Sequence, residues 1–306
     1  MAGLNVSLSF FFATFVLCQA ARRACKALLP AGAYAGFARE AVAAAQLGAC
    51  CLEMRVLAEL GPWAGGCGPD PLLTLLFLAH GATCAGAAAT PTVALQGLLL
   101  AEASAPRTLL KLAAQGLGVR AACALTRLYW ACELCDLHVL QNLMDPHCSS
   151  ALRTPVPHGA LVEGACTFLL HPALLHLRDS LPACRVPAVA LLAAAMAHTA
   201  GPFTSAFFNP ALATSVTFHC SGHTLLEYAQ VYWLGPLTGM VLAVLLYHGR
   251  LPRLFRRNLL YGQKNKYRTP RGKLALGPRD TRPPAGRSRS REPGRGGAGQ
   301  EPPASR

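Results

Sequence analysis

Charge is what the body of this chain lacks. Residues 1–248 carry 12 Lys/Arg and 11 Asp/Glu, in a length that would ordinarily make one or two soluble domains with about a quarter of their residues charged. The chain as a whole is 53% hydrophobic, with a mean hydropathy of +0.34. A chain this poor in charge has few ways to fold, and the strongest is a bundle of helices that satisfy their own backbone polar groups inside a bilayer. The formal net charge of +14 does not oppose this, because residues 249–306 hold 16 Lys/Arg against 3 Asp/Glu. The charge is a basic tail on a nearly neutral body, so no nucleic-acid partner is expected. A soluble enzyme, a nucleic-acid-binding domain and a disordered chain are all poor fits.

Spanning helices need about 20 mostly apolar residues. The candidates are Leu4–Ala21, Phe37–Leu57, Leu72–Ala89, Leu109–Tyr129, Gly159–Leu177, Val186–Ala200 and Tyr228–His248. The second contains Arg39, Glu40, Glu53 and Arg55, and the fourth contains Arg120 and Arg127. Charges at membrane depth usually face a bundle interior or water, so these helices are expected around a polar path. Two apolar pieces, Thr90–Leu100 and Asn209–His219, are about half a membrane long and open with an x-Pro-x signal. They are expected as reentrant half-helices, which a bilayer tolerates only where protein or a water-filled cavity surrounds them.

An internal repeat joins the two pieces. Glu40 precedes Thr90-Pro91-Thr92 by 50 residues, and Glu163 precedes Asn209-Pro210-Ala211 by 46. Each half reads as a helix with Glu, a helix, a half-helix and a helix. Three full helices per half place the second copy upside down, an inverted repeat whose functional site lies at the repeat interface. The layout is an N-terminal apolar helix with a basic linker over 1–36, channel repeats over 37–130 and 159–250, a connecting loop over 131–158, and a tail over 251–306. The basic loop residues alternate sides with the acidic ones, and the positive-inside rule puts the tail in the cytosol. From Gly277 the tail has almost nothing to bury and is expected to be disordered.

Leu4–Ala21 is surplus to a six-helix core. It is a seventh span with a lumenal N-terminus, a signal-like element, or a helix on the membrane surface. It lacks a basic n-region and a clear small-x-small cleavage site, so retention is expected over removal as a signal peptide.

The chemistry sits at Asn209-Pro210-Ala211. Asn is a strong N-cap and Pro suits the first helical position. The amide oxygen can cap the half-helix while the amide nitrogen donates to a passing water or hydroxyl. Two such helix starts meeting tip to tip make a positive collar that passes neutral solutes and raises a barrier to protons and cations.

With these motifs in place the chain resembles the aquaporin (major intrinsic protein) family over about Phe37–Arg250. Glu40 and Glu163, Ala114-Gln115-Gly116 and Val231-Tyr232-Trp233-Leu234-Gly235-Pro236 also match. The altered first motif, Leu212 after the second motif, and Cys220 nine residues beyond Ala211 look like the unorthodox intracellular superaquaporin branch. The resemblance implies an all-α fold of six transmembrane helices and two half-helices, to which the N-terminal apolar helix is extra. It implies passage of water and small neutral solutes without a cofactor or metal, a homotetramer, and an endoplasmic reticulum or vesicle membrane. It makes Glu40 and Glu163 structural through bonds to loop backbone, and gives Cys220 a structural role. Thr90 stands where Asn is usual, with one hydroxyl proton in place of two amide protons. Leu212 stands where water-selective members have Arg. With the small Ala206, and His198 or its neighbour Ala197, it implies a wider and less polar mouth that admits glycerol-sized solutes or peroxide.

Other motifs carry less. Cys132-Glu-Leu-Cys135 has no second pair or His cluster at zinc-ligand spacing and reads as a helix end. Cys67 and Cys148 fall in expected lumenal loops, where a bridge is possible but its pairing is not readable. Gly235 and Gly239 form a G-x-x-x-G compatible with close helix contact. No nucleophile–base set, P-loop or dinucleotide fingerprint is present, so an enzyme is not expected. Two alternatives to a channel remain: an ion-coupled secondary transporter, and a membrane protein that keeps the fold without conducting.

Overall fold

The computed structural model describes residues 2–30, 32–60, 70–84, 87–144, 148 and 150–248. The expectations for Cys67 and for the tail lie outside the described residues. The chain runs through α1 (Ala2–Leu28), α2 (Ala33–Leu60), α3 (Pro71–Thr83), α4 (Pro91–Leu99), α5 (Ala105–Trp130), α6 (Asp136–Met144), α7 (Val156–His176), α8 (Pro182–Thr204), α9 (Pro210–Val216), α10 (Leu225–Ala229) and α11 (Gly235–Tyr247). Gln230–Leu234 forms a π-helical turn that joins the last two into one rod.

Four stretches are long and apolar enough to cross a membrane: Gly3–Leu28, Ala33–Leu60, Pro182–Thr204 and Leu225–Tyr247. At 26 and 21 residues, α5 and α7 are also long enough to span. The expected span at Leu72–Ala89 is shorter in the structure, because α3 ends at Thr83 and the backbone leaves the helix before the half-helix α4 begins. The two half-helices start where the x-Pro signals place them, with Pro91 and Pro210 in the first helical turn.

Close helix pairs form the frame of each half. A Cβ added at Gly118 of α5 would run into the Ala41 carbonyl of α2, and one at Gly239 of α11 would run into the Gly164 carbonyl of α7. Gly235 likewise faces the Ala160 backbone. The G-x-x-x-G therefore packs within the chain, against α7. Only glycine lets these backbones meet, and dispersion between the touching helices is gained without a side chain to displace.

α1 is docked rather than adrift. Ser7 Oγ donates to Glu53 Oε1 at 2.6 Å, and Arg22 Nη2 donates to Gln46 Oε1 at 2.6 Å. The Tyr129 hydroxyl donates to the Val6 carbonyl at 3.3 Å, and the rings of Phe10 and Tyr129 lie 4.7 Å apart. Phe10, Phe11 and Phe15 pack against Cys50, Met54, Leu57 and Leu76.

The charged residues of the spans divide in a way the sequence did not anticipate. Glu40 and Glu53 turn inward and are buried. Arg39 and Arg120 stand at exposed positions, so the expectation of an interior path is corrected for these two, whereas Arg55 and Arg127 border one opening with Leu52, Glu59, Trp130 and Val216. A helix turns about 100° per residue, so charges one or several positions apart can lie on opposite faces of the same span.

Candidate functional site

Each half-helix begins from the same local arrangement. Thr90 and Asn209 occupy the N-cap positions with φ of −133° and −132°. The residue before each is left-handed, Ala89 at φ 55° and Phe208 at φ 47°. Such backbone costs about 1–3 kcal/mol for a non-glycine residue and persists only where surrounding bonds enforce it.

Those bonds come from the two glutamates. Glu40 accepts from the Ala88 N–H at 3.0 and 3.1 Å and from the Ala89 N–H at 3.2 Å. Glu163 accepts from the Phe207 N–H at 3.2 Å and from the Phe208 N–H at 2.8 Å. In both halves the two residues just before the half-helix cap are held by a carboxyl group from the first long helix of that half. Gln115 Nε2 adds a donor to Glu40 at 3.2 Å, and Lys111 Nζ lies 3.7 Å from it. Glu163 takes its further donor from Thr204 Oγ1 at 2.7 Å. Glu163 is fully buried and Glu40 is 1% exposed, so each bond satisfies a group that water does not reach.

The two caps differ. Asn209 Oδ1 accepts from the Ala211 and Leu212 N–H groups at 3.1 and 3.3 Å, and its Nδ2 donates to the Ala89 carbonyl at 3.3 Å. Asn209 therefore caps its own half-helix and reaches the loop before the other. The Thr90 side chain forms no capping bond. Thr90 is half-buried, while Pro91, Thr92, Pro210 and Ala211 are buried.

The residues matched to the outer mouth belong to different packing environments. Leu212 is 5% exposed and packs with Val56, Phe207, Val216 and Tyr232. Ala206, left-handed at φ 50°, lies against Cys166, Met196 and Phe208 between α7 and α8. His198 is at an exposed position on α8, and its neighbour Ala197 is half-buried. Cys220 is disulfide-bonded to Cys148 across 72 residues. The Ala151 N–H donates to Thr217 Oγ1 at 3.1 Å, and the Ser221 N–H donates to the Cys148 carbonyl at 3.2 Å. Together these tie the segment after α9 to the connecting loop.

Three groupings were not foreseen. Glu53 accepts from Trp130 Nε1 at 2.7 Å and Ser7 Oγ at 2.6 Å, with His138 Nε2 at 3.2 Å. Arg55 and Arg153 share Glu59 at 3.4 and 3.2 Å. His171 Nδ1 meets Gln96 Oε1, joining α7 to α4. Nothing local marks these partners; only the polar residues inside apolar runs hinted that partners were needed.

The model of the family described as Major intrinsic protein matches residues 70–247. Over 300 residues the chain is 71% identical to Putative aquaporin-12B of Homo sapiens, covering 97% of this chain and 98% of that protein. It is 70% identical over 285 residues to Aquaporin-12 of Mus musculus, covering 92% of this chain and 98% of the relative. Aquaporin-11 of Equus caballus is 31% identical over 219 residues, 72% of this chain and 79% of that protein.

Proposed function

The chain belongs to the major intrinsic protein family, and from that premise we propose that it is a passive channel for water, and for neutral solutes such as glycerol and peroxide. The observation that carries this reading is the matched bracing of the two half-helix starts by Glu40 and Glu163, which sets Asn209 against Ala89 between the two halves of the repeat. A solute crossing there meets the second amide proton of Asn209 at one half-helix start and the first-turn N–H groups left without a side-chain cap at the other. In this reading Thr90 supplies one hydroxyl at the other cap, left free of capping duty. Leu212 and Ala206, with His198 or Ala197, stand in this reading where the outer mouth is expected and make it wider and less polar. We place the channel as a homotetramer in an endoplasmic reticulum or vesicle membrane, with the basic tail in the cytosol.

The same caps favour one second reading, a protein that keeps the fold without conducting. Asn209 is 3% exposed, one of its amide protons is bonded to Ala89, and Leu212 lies in an apolar cluster. Stopped-flow swelling of proteoliposomes separates the two. Water or glycerol entry clearly faster than in empty vesicles, and independent of proton or sodium gradients, supports the channel. Entry no faster than in empty vesicles for water, glycerol and peroxide alike supports the second reading.

A further inference from the structure

Arg120 is the sixteenth residue of the 26-residue helix α5, about 15 Å along the axis from the Trp130 end and about 22 Å from the Ala105 end. Its depth is also marked from inside. Gly118 packs on Ala41, and Val119 and Ala122 pack on Gly48, all in the body of α2. Those contacts use the inner face of α5. Arg120 is on the outer face, exposed beside Leu117, Ala121, Ala124 and Leu125. Among the described residues no hydrogen bond or ion pair reaches it.

A guanidinium facing hydrocarbon at this depth is costly, and such groups pair with a partner or reach water. Reaching the nearer surface is hindered by geometry. Side chains on a helix lean toward its N-terminus, which for Arg120 is the direction of the farther, Ala105 end. The flanking alanines leave room for another helix to approach closely.

We infer that the outer face of α5 around Arg120 is an intramembrane docking surface for a transmembrane helix of another protein that carries a carboxylate at the same depth. A second copy of this chain does not meet that need. Among the described residues Glu40, Glu53 and Glu163 are buried and bonded. The remaining carboxylates lie at helix ends or in connections, such as Glu59, Glu102 and Asp179.

The test uses the full chain in zwitterionic liposomes with a synthetic single-span Leu/Ala helix bearing a central Asp, and matched helices bearing Asn or Leu. Energy transfer between labelled chain and peptide is the readout. The expected result is association with the Asp helix at least tenfold tighter than with the Leu helix, reduced to the Leu level by Arg120→Leu and largely kept by Arg120→Lys. Equal association of the three peptides overturns the proposal, as does an Asp preference that survives Arg120→Leu. In parallel liposomes containing anionic lipid, a preference for that lipid that Arg120→Leu removes, without peptide discrimination, assigns the residue to lipid phosphate and also overturns it. Self-association without peptide that Arg120→Leu abolishes overturns it in favour of a second copy. The Cys148–Cys220 bridge and helical content report folding of each variant. Arg120→Gln is read in the same way if the leucine variant does not fold.

Discussion

The side-chain amide of Asn209 donates to the carbonyl of Ala89 at 3.3 Å, joining residues 120 positions apart and linking the two half-helix starts directly. Ala89 is held left-handed by Glu40, and Phe208, the residue before Asn209, is held left-handed by Glu163. The centre of the molecule is thus a closed chain of bonds from α2 through both loops to α7.

Glu163→Ala removes the acceptor for two backbone N–H groups and the Thr204 hydroxyl. A buried donor left unpaired costs about 1–3 kcal/mol, so the variant is expected to lose about 3 kcal/mol or more. The thermal midpoint in detergent should fall well below that of an exposed control such as Leu161→Ala. An unchanged midpoint would show that the loop holds its shape without the carboxyl group.

Thr90→Asn restores a second side-chain donor and a strong capping oxygen to the first half-helix. Osmotic water permeability per protein is expected to rise several-fold in proteoliposomes. If both forms leave swelling at the level of empty vesicles, the block to conduction lies elsewhere.

The Arg22–Gln46 bond anchors α1 at a site where Arg22 is 9% exposed. Contacting buried pairs couple by about 0.5–3 kcal/mol in double-mutant cycles. Arg22→Met and Gln46→Leu should therefore be destabilising singly and less than additive together. Additive losses in chemical unfolding would mean that the α1 contact carries no coupling.

Reducing the Cys148–Cys220 bridge opens a loop closed across 72 residues. On the chain-entropy account this removes about 4 kcal/mol. Dithiothreitol should lower the thermal midpoint of the native chain and leave that of Cys220→Ser unchanged. Equal sensitivity of the two would place the stabilising bridge on other cysteines.

How much of this was legible in the sequence depends on whether the signal was local. Glu40, Glu163, Thr90 and Asn209 stand out because their spacing repeats, and the Pro residues mark the half-helix starts without reference to anything distant. The Cys148–Cys220 pairing, the Glu53 grouping and the Arg22–Gln46 bond left no such trace. Each joins residues 24 to 85 positions apart, and polar residues within apolar runs indicate a need for partners without naming them.

The amino-acid order by itself determined that the body is a membrane bundle, that it repeats, and where its half-helices begin. Those outcomes follow from apolar run length, charge scarcity and proline position, which act within a few turns of chain. Tertiary structure alone decided the rotation of each helix about its axis. That rotation sends Glu40 inward and Arg39 outward although they are adjacent, docks α1 on α2, and leaves Arg120 on an outer face. It is set by which surfaces of neighbouring helices fit, through glycine contacts such as Gly118 on Ala41, and no single segment carries that information.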